Sequence, residues 1–184
     1  LIAPQQRVEN PEPAKEIKAI KDQWLNEWMP RLTSDEIPIN PYRVIWDLMH
    51  TIDRKNSIVT HDSGSPRDQT MPFYEAISPR GFIGWGKSTQ LGYSLGLALG
   101  AKLAAPEKLA VNIMGDYAFG MVGLDMDTAL RERLPILTIV LNNSAMGIYS
   151  PDSFPTANDI YGTKFLTGNY AKIAEALGCY NERV

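Results

Sequence analysis

The 184 residues, 44% of them hydrophobic, are enough for one well-packed domain and too few for two large ones. A net charge of −3 without any Lys/Arg block gives no footprint for nucleic acid or an anionic membrane surface. The single cysteine, Cys179, excludes an intrachain disulfide framework; no apolar run approaches 18 residues and no secretory leader is visible, so the composition is that of a cytoplasmic protein. The chain starts at Leu1 and stops at Val184 where an apolar segment is beginning, so a piece of a longer protein is expected.

Residues 1–12, broken by Pro4 and Pro11, read as a linker. Pro13 then opens a helical stretch carrying Ile17, Ile20, Trp24, Leu25 and Trp28, which Pro30 and Pro38 punctuate. This gives a linker and helix over 1–38 and a main domain over 39–184. From Pro41 a helical period (Tyr42, Val44, Ile45, Leu48, Met49, Ile52) leads into a short buried strand, Asn56–His61, closed by the polar turn Asp62–Pro66. A helix over about 90–105 precedes a strand over 108–114 that stops at Gly115-Asp116. A helix over about 122–132 precedes the strand Ile136–Leu141, closing on Asn142-Asn143. Segment 147–165, rich in Pro, Ser, Asp and Gly, has no period and reads as a long binding loop. Near-continuous apolar strands alternating with helices predict an α/β fold, a doubly wound parallel sheet with helices on both faces and the ligand outside the carboxyl ends of the strands.

Three predicted strand ends carry polar residues: Asp62-Ser63-Gly64, Gly115-Asp116 and Asn142-Asn143. Parallel strands bring them to one edge. A carboxylate and an amide oxygen are hard ligands suited to Mg²⁺, which takes few protein ligands beside phosphates and water. Gly115 would let a phosphate approach the backbone, and the following helix would turn N–H groups towards it. The competing reading is that Asp116 and Asn143 are turn and cap residues; two of them at matched strand ends weaken it.

Gly115-Asp116-Tyr117, 24 residues, and then Asn142-Asn143 resembles the signature of thiamine-diphosphate (ThDP) enzymes, with similarity extending through Gly92–Ala101 and Ala118-Phe119-Gly120 to Leu141. The resemblance implies the diphosphate-binding domain of such an enzyme. Asp116, Asn143 and the carbonyl of Ala145 would ligate Mg²⁺, and Gly115, Tyr117, Ala118, Met146 and Gly147 would lie around the diphosphate. Ser63, Gly64 and Ser65 would approach the diphosphate from the first strand. Backbone groups at Thr89 and Leu91 would bond the aminopyrimidine, with the Leu91 side chain beneath the two rings holding ThDP bent. Tyr117 departs from the family pattern, standing where a glycine is usual. The resemblance also implies that the glutamate activating the aminopyrimidine comes from an N-terminal pyrimidine-binding domain of a neighbouring subunit, in a homodimer or homotetramer. No catalytic residue is therefore assigned within this chain.

Ala118-Phe119-Gly120 and Gly123–Thr128 resemble the branch of acetolactate synthases, oxalyl-CoA decarboxylases and 2-hydroxyacyl-CoA lyases, and Ile83–Thr89 leans towards the lyases. The implied reaction cleaves or forms a C–C bond next to a carbonyl of a 2-oxo or 2-hydroxyacyl(-CoA) substrate. Other readings are an acetolactate synthase-type carboligase acting on pyruvate, a non-catalytic ThDP-binding module, and a P-loop NTPase. The last rests on Gly81–Ser88, which matches the phosphate-loop string literally; Pro79 and Arg80 precede it where a buried strand is required. His50 reads as structural, while His61, nearer the ligand edge, stays open as a proton carrier.

Overall fold

The computed structural model of the chain describes residues 11–84, 90–146, 152–161 and 168–184. Its centre is β1 (Ser57–His61), a run with three β-branched residues buried along its whole length. β1 pairs in parallel with β3 (Leu109–Gly115), Val59 opposite Val111, and on its other side with the two-residue β2 (Phe82–Ile83), Thr60 opposite Ile83. β3 in turn pairs in parallel with β4 (Ile136–Leu141), Ile113 opposite Ile139. Among the described residues the sheet order is β2-β1-β3-β4. The chain moves outward from β1 to β2, then returns to the opposite side of β1 for β3. That reversal is a topological switch point between the carboxyl ends of β1 and β3, where open α/β sheets bind their ligands.

Contacts divide the chain into two units, one up to Val44 and one from Ile45 to Val184. The first holds α1 (Glu12–Leu32), which runs through Pro30 in its last turn; Pro30 thus sits inside the helix, though the helix stops two residues on, as a missing N–H and a ring clash dictate. Trp28 meets Tyr42 edge-on at 5.0 Å, and Arg43 reaches the carbonyl of Ser34 and the carboxylate of Asp35, each within 2.9 Å. α2 (Pro41–Thr51) leads into the second unit.

There, α3 (Ser65–Thr70) begins directly at the end of β1 where a turn alone was expected; Pro66 sits in its first turn and presets the helical φ. α4 (Tyr93–Ala104) starts three residues later than the pattern suggests, behind Gly92. The largest departure follows β3. A helix was expected from residue 122, but α5 (Asp116–Val122) starts at the strand end itself, and a 3-10 turn at Gly123–Asp125 separates it from α6 (Met126–Arg131). Gly120 and Gly123 hide the helical period of this stretch. Within 147–165, expected to be a loop, Pro155–Tyr161 forms α7, with proline at its first position; 147–151 and 162–165 lie outside the described residues. α8 (Tyr170–Ala176) opens on Asn169, whose side chain caps the Lys172 amide. Leu95, Met114, Ala118 and Phe119 form a core cluster joining α4, β3 and α5. β2 lies inside the Gly81–Ser88 string rather than ahead of it, so the strand–loop–helix order of a phosphate loop is not met.

Candidate functional site

At the switch point Gly115 ends β3, and a Cβ built there would lie 3.6 Å from Cγ of Pro66, an ordinary contact that puts the ends of β1 and β3 within touching distance. Asp116 follows as the first residue of α5, where a carboxylate suits the positive end of the helix, and is only 2% exposed. Its Oδ1 accepts the Tyr117 amide at 2.9 Å. Among the described residues its buried Oδ2 has no hydrogen-bond partner. Burial pushes the carboxyl above its ordinary value of 3.8, against the backbone N–H groups of Tyr117, Ser144 and Ala145, which favour the charged form. Those last two amides bring the turn after β4 to the Asp116 carboxylate.

That turn is built by its asparagines. Asn142 Oδ1 accepts the Ser144 amide at 3.0 Å, Asn143 Oδ1 accepts the Ala145 amide at 3.1 Å, and Ser144 takes a left-handed φ of 56°. The turn-residue reading of Asn143 therefore holds for its side chain in this arrangement, while the residue stays exposed and next to the site. The oxygens near this point are one carboxylate oxygen of Asp116 without a hydrogen-bond partner among the described residues and, on the adjoining turn, the exposed Asn143 amide. This all-oxygen set fits Mg²⁺ accompanied by phosphates and water. Among the described residues no three His, Cys, Asp or Glu side chains form a metal cluster, so an ion here would depend on neutral oxygens and its ligand. Tyr117 is accommodated without strain: as the second residue of α5 it has right-handed helical backbone, where a side chain is free.

Ser63, Gly64 and Ser65 line the β1 side, Gly64 and Ser65 half-buried, Ser63 at 2% exposure. The Ser63 hydroxyl donates to the Gln90 carbonyl at 2.6 Å. Leu91 is half-buried: one side packs on the Leu95–Met114–Ala118–Phe119 cluster and the rest is open, unlike an ordinary core leucine. Ala118 is enclosed in the same cluster, and Met146 is half-buried. Thr89 and Gly147 lie outside the described residues.

Two neighbours were given no site role from the sequence, although Asp62 was noted at its strand end. Tyr170 of α8 stacks edge-on against Phe119 at 5.3 Å, and its hydroxyl is pushed above its ordinary value by burial and then by the Asp116 charge. Asp62, wholly buried, accepts hydrogen bonds from Ser63, Gly92 and Ser94. The contacts that bring them in, Phe119 for Tyr170 and Gly92 and Ser94 for Asp62, lie far along the chain. His61 is 2% exposed, its Nδ1 3.2 Å from the Asp62 carbonyl and its ring 5.2 Å from that of Phe82; a Cβ on Gly84 would fall 2.0 Å from its Nε2. This is a packing residue at the β1–β2 seam, and burial lowers its pKa from 6.5. His50 is exposed, its ring 4.2 Å from that of Trp46 and its Nδ1 2.7 Å from the Trp46 carbonyl at the end of α2.

Residues 62–184 match the family model for the thiamine pyrophosphate enzyme C-terminal TPP binding domain. The chain is 27% identical over 166 residues to a "Probable acetolactate synthase large subunit" of Methanococcus aeolicus, an alignment covering 85% of this chain and 27% of that protein. It is 30% identical over 158 residues to an acetolactate synthase large subunit of Mycobacterium tuberculosis, covering 83% and 28%. To a 2-hydroxyacyl-CoA lyase of Arabidopsis thaliana it is 28% identical over 159 residues, covering 80% and 27%. The chain thus spans little more than a quarter of the length of these relatives. Among the described residues no helix is long and apolar enough to cross a membrane.

Proposed function

Given that the chain belongs to the thiamine pyrophosphate enzymes, as their C-terminal TPP binding domain, we propose that its β1–β3 crevice holds the ThDP diphosphate through Mg²⁺. Asp116, Asn143 and the carbonyl of Ala145 would be the ligands. The observation that carries this is the buried Asp116 Oδ2, which has no hydrogen-bond partner among the described residues: an unpaired buried carboxylate oxygen costs free energy that a cation would recover. Gly64, Ser65, Gly115, Tyr117 and Met146 border the same edge, with Thr89 and Gly147 assigned by family resemblance. Leu91, packed against the Leu95–Phe119 cluster, would lie beneath the rings. Residues 39–184 form this domain and 1–38 a linker and helix from the preceding region.

When bound, ThDP supplies the carbanion chemistry that cleaves or forms a C–C bond next to a carbonyl. The chain's own residues would hold the phosphates and fix the ring geometry. The parent enzyme acts on a small 2-oxo or 2-hydroxyacyl(-CoA) substrate, as a 2-hydroxyacyl-CoA lyase-like enzyme or an acetolactate synthase-like carboligase; the names of the relatives support both. An N-terminal pyrimidine-binding domain of a neighbouring subunit completes the site in a homodimer or homotetramer, and this chain by itself turns nothing over. Calorimetry on the full-length protein with ThDP and Mg²⁺ tests the metal site. Asp116→Ala is expected to weaken ThDP binding at least about a hundredfold, or roughly 2.7 kcal/mol, with the fold retained. Unchanged affinity in the folded variant would place the metal elsewhere.

A further inference from the structure

The segment that bears Leu91 is tied to β1 by side chains that the metal site does not use. Asp62, 0% exposed at the carboxyl end of β1, accepts the Gly92 amide at 3.0 and 3.1 Å on its two oxygens, the Ser94 amide at 3.2 Å and the Ser94 hydroxyl at 2.6 Å; it also accepts the Ser63 amide at 2.9 Å. The Ser63 hydroxyl holds the Gln90 carbonyl at 2.6 Å and Thr60 Oγ1 reaches the Ser94 carbonyl at 3.1 Å. Residues 90, 92 and 94 are therefore each bonded to the end of β1, and Leu91 lies between two of the tied positions. The tie is also a helix cap made by a residue about thirty positions away: Gly92 is the N-cap of α4, and its own side chain can offer nothing. Gly92 adopts φ 90°, and a Cβ there would lie 2.7 Å from Cγ1 of Val122, so the backbone next to Leu91 is also pressed against the end of α5.

We infer that Asp62 is a positioning residue for ThDP: by clamping Gly92 and Ser94 to the end of β1 it fixes the height of the Leu91 side chain under the cofactor rings. This rests on the assignment of Leu91 above. Asparagine at position 62 would keep the size but replace one acceptor oxygen with an NH₂ facing N–H donors, so the clamp should slacken without leaving a cavity. A displacement of about 1 Å in a positioned group can cost roughly a hundredfold in rate.

The test uses the full-length protein with saturating ThDP and Mg²⁺ and follows proton–deuterium exchange at the reactive carbon of the cofactor by quenched NMR. Asp62→Asn is expected to slow exchange by about tenfold or more, while a residue that only stabilises the fold would leave exchange per folded holoenzyme unchanged. The effect must also disappear in a Leu91→Ala background, because Asp62 acts through Leu91. In the cofactor-free protein the amides of Gly92 and Ser94 should exchange faster in Asp62→Asn. If that variant does not fold, Ser94→Ala, which removes one bond of the clamp, decides by the same measurement, with slowing of about threefold expected. Wild-type exchange in a folded clamp variant overturns the inference, as does slowing that persists undiminished in the Leu91→Ala background. If Leu91→Ala alone leaves exchange unchanged, it is the assignment of Leu91 that fails, a distinguishable result.

Discussion

Asp62 and Asp116 stand at the ends of neighbouring strands, both buried, and differ in what their carboxylates have to bond. Asp62 accepts N–H groups on both oxygens and a hydroxyl as well. Asp116 has one oxygen served by the Tyr117 amide, with the Ser144 and Ala145 amides nearby, and another oxygen with no hydrogen-bond partner among the described residues. A buried carboxylate is tolerated when its lone pairs are filled, and a gap in that account calls for a ligand. The same residue type thus has its oxygens filled at one strand end and one oxygen unfilled at the other.

The sharpest way to break this contrast is to remove the charge from each in turn and measure urea midpoints of the metal-free protein. Asp62→Asn should cost roughly 3 kcal/mol, since a filled buried acceptor set is lost and donors are left facing an amide. Asp116→Asn should go the other way at neutral pH. The Asp116 carboxyl is pushed above 3.8 by burial, so the metal-free fold prefers it protonated: that stability is present below 3.8 and lost as pH rises through the elevated folded value. The substitution should remove this loss at pH 7 and with it the response to Mg²⁺. Destabilisation by both variants alike would mean that Asp116 is scaffold too.

A smaller effect is expected at Leu91. Because it is half-buried, Leu91→Ala should cost about 1–2 kcal/mol, below the 2–5 kcal/mol of a fully enclosed leucine. Its main consequence should be a fall in exchange at the reactive carbon of bound ThDP. A full core penalty with normal exchange would return Leu91 to the ordinary interior. The smallest effect belongs to His61, which lies on the packed β1–β2 side. Burial depresses its pKa below 6.5, so the fold holds the ring neutral: its contribution is intact above pH 6.5 and is lost as pH falls from there through the depressed folded value. Denaturation at pH 7.5 and 5.5 should show a decline in wild type that His61→Phe flattens. An unchanged slope would assign the acid sensitivity to another group.

What could be read in advance follows the reach of each interaction. β1, β3 and β4 announce themselves as apolar runs that stop at Asp62, Asp116 and Asn142, because a strand buried between layers has to be apolar along the chain. From those three ends the parallel edge and the place of Asp116 follow. β2 has only two residues, lies between Gly81 and Gly84 and is held by pairing with β1, so no local pattern reveals it. α5 was missed since Gly120 within it and Gly123 just behind it dilute the pattern of a helix whose stability comes from Phe119 and Ala118 packing under Leu95. The clamp made by Asp62 is invisible for the same reason on a longer scale: an aspartate before Ser-Gly-Ser-Pro reads as a turn residue until Gly92 and Ser94 are seen beside it.

The register that pairs Ser57 with Leu109 has a further meaning for how the molecule comes into being. Closing roughly fifty residues of chain costs about 3.5 kcal/mol of entropy before a single ladder bond is gained. The crevice between β1 and β3 therefore has no precursor in local structure, and it exists only after the two paired strands farthest apart in sequence have met. High contact order of this kind makes for slow folding. A ligand that recognises that crevice finds nothing to hold on the nascent chain and acts afterwards, as a brake on unfolding rather than a template for assembly.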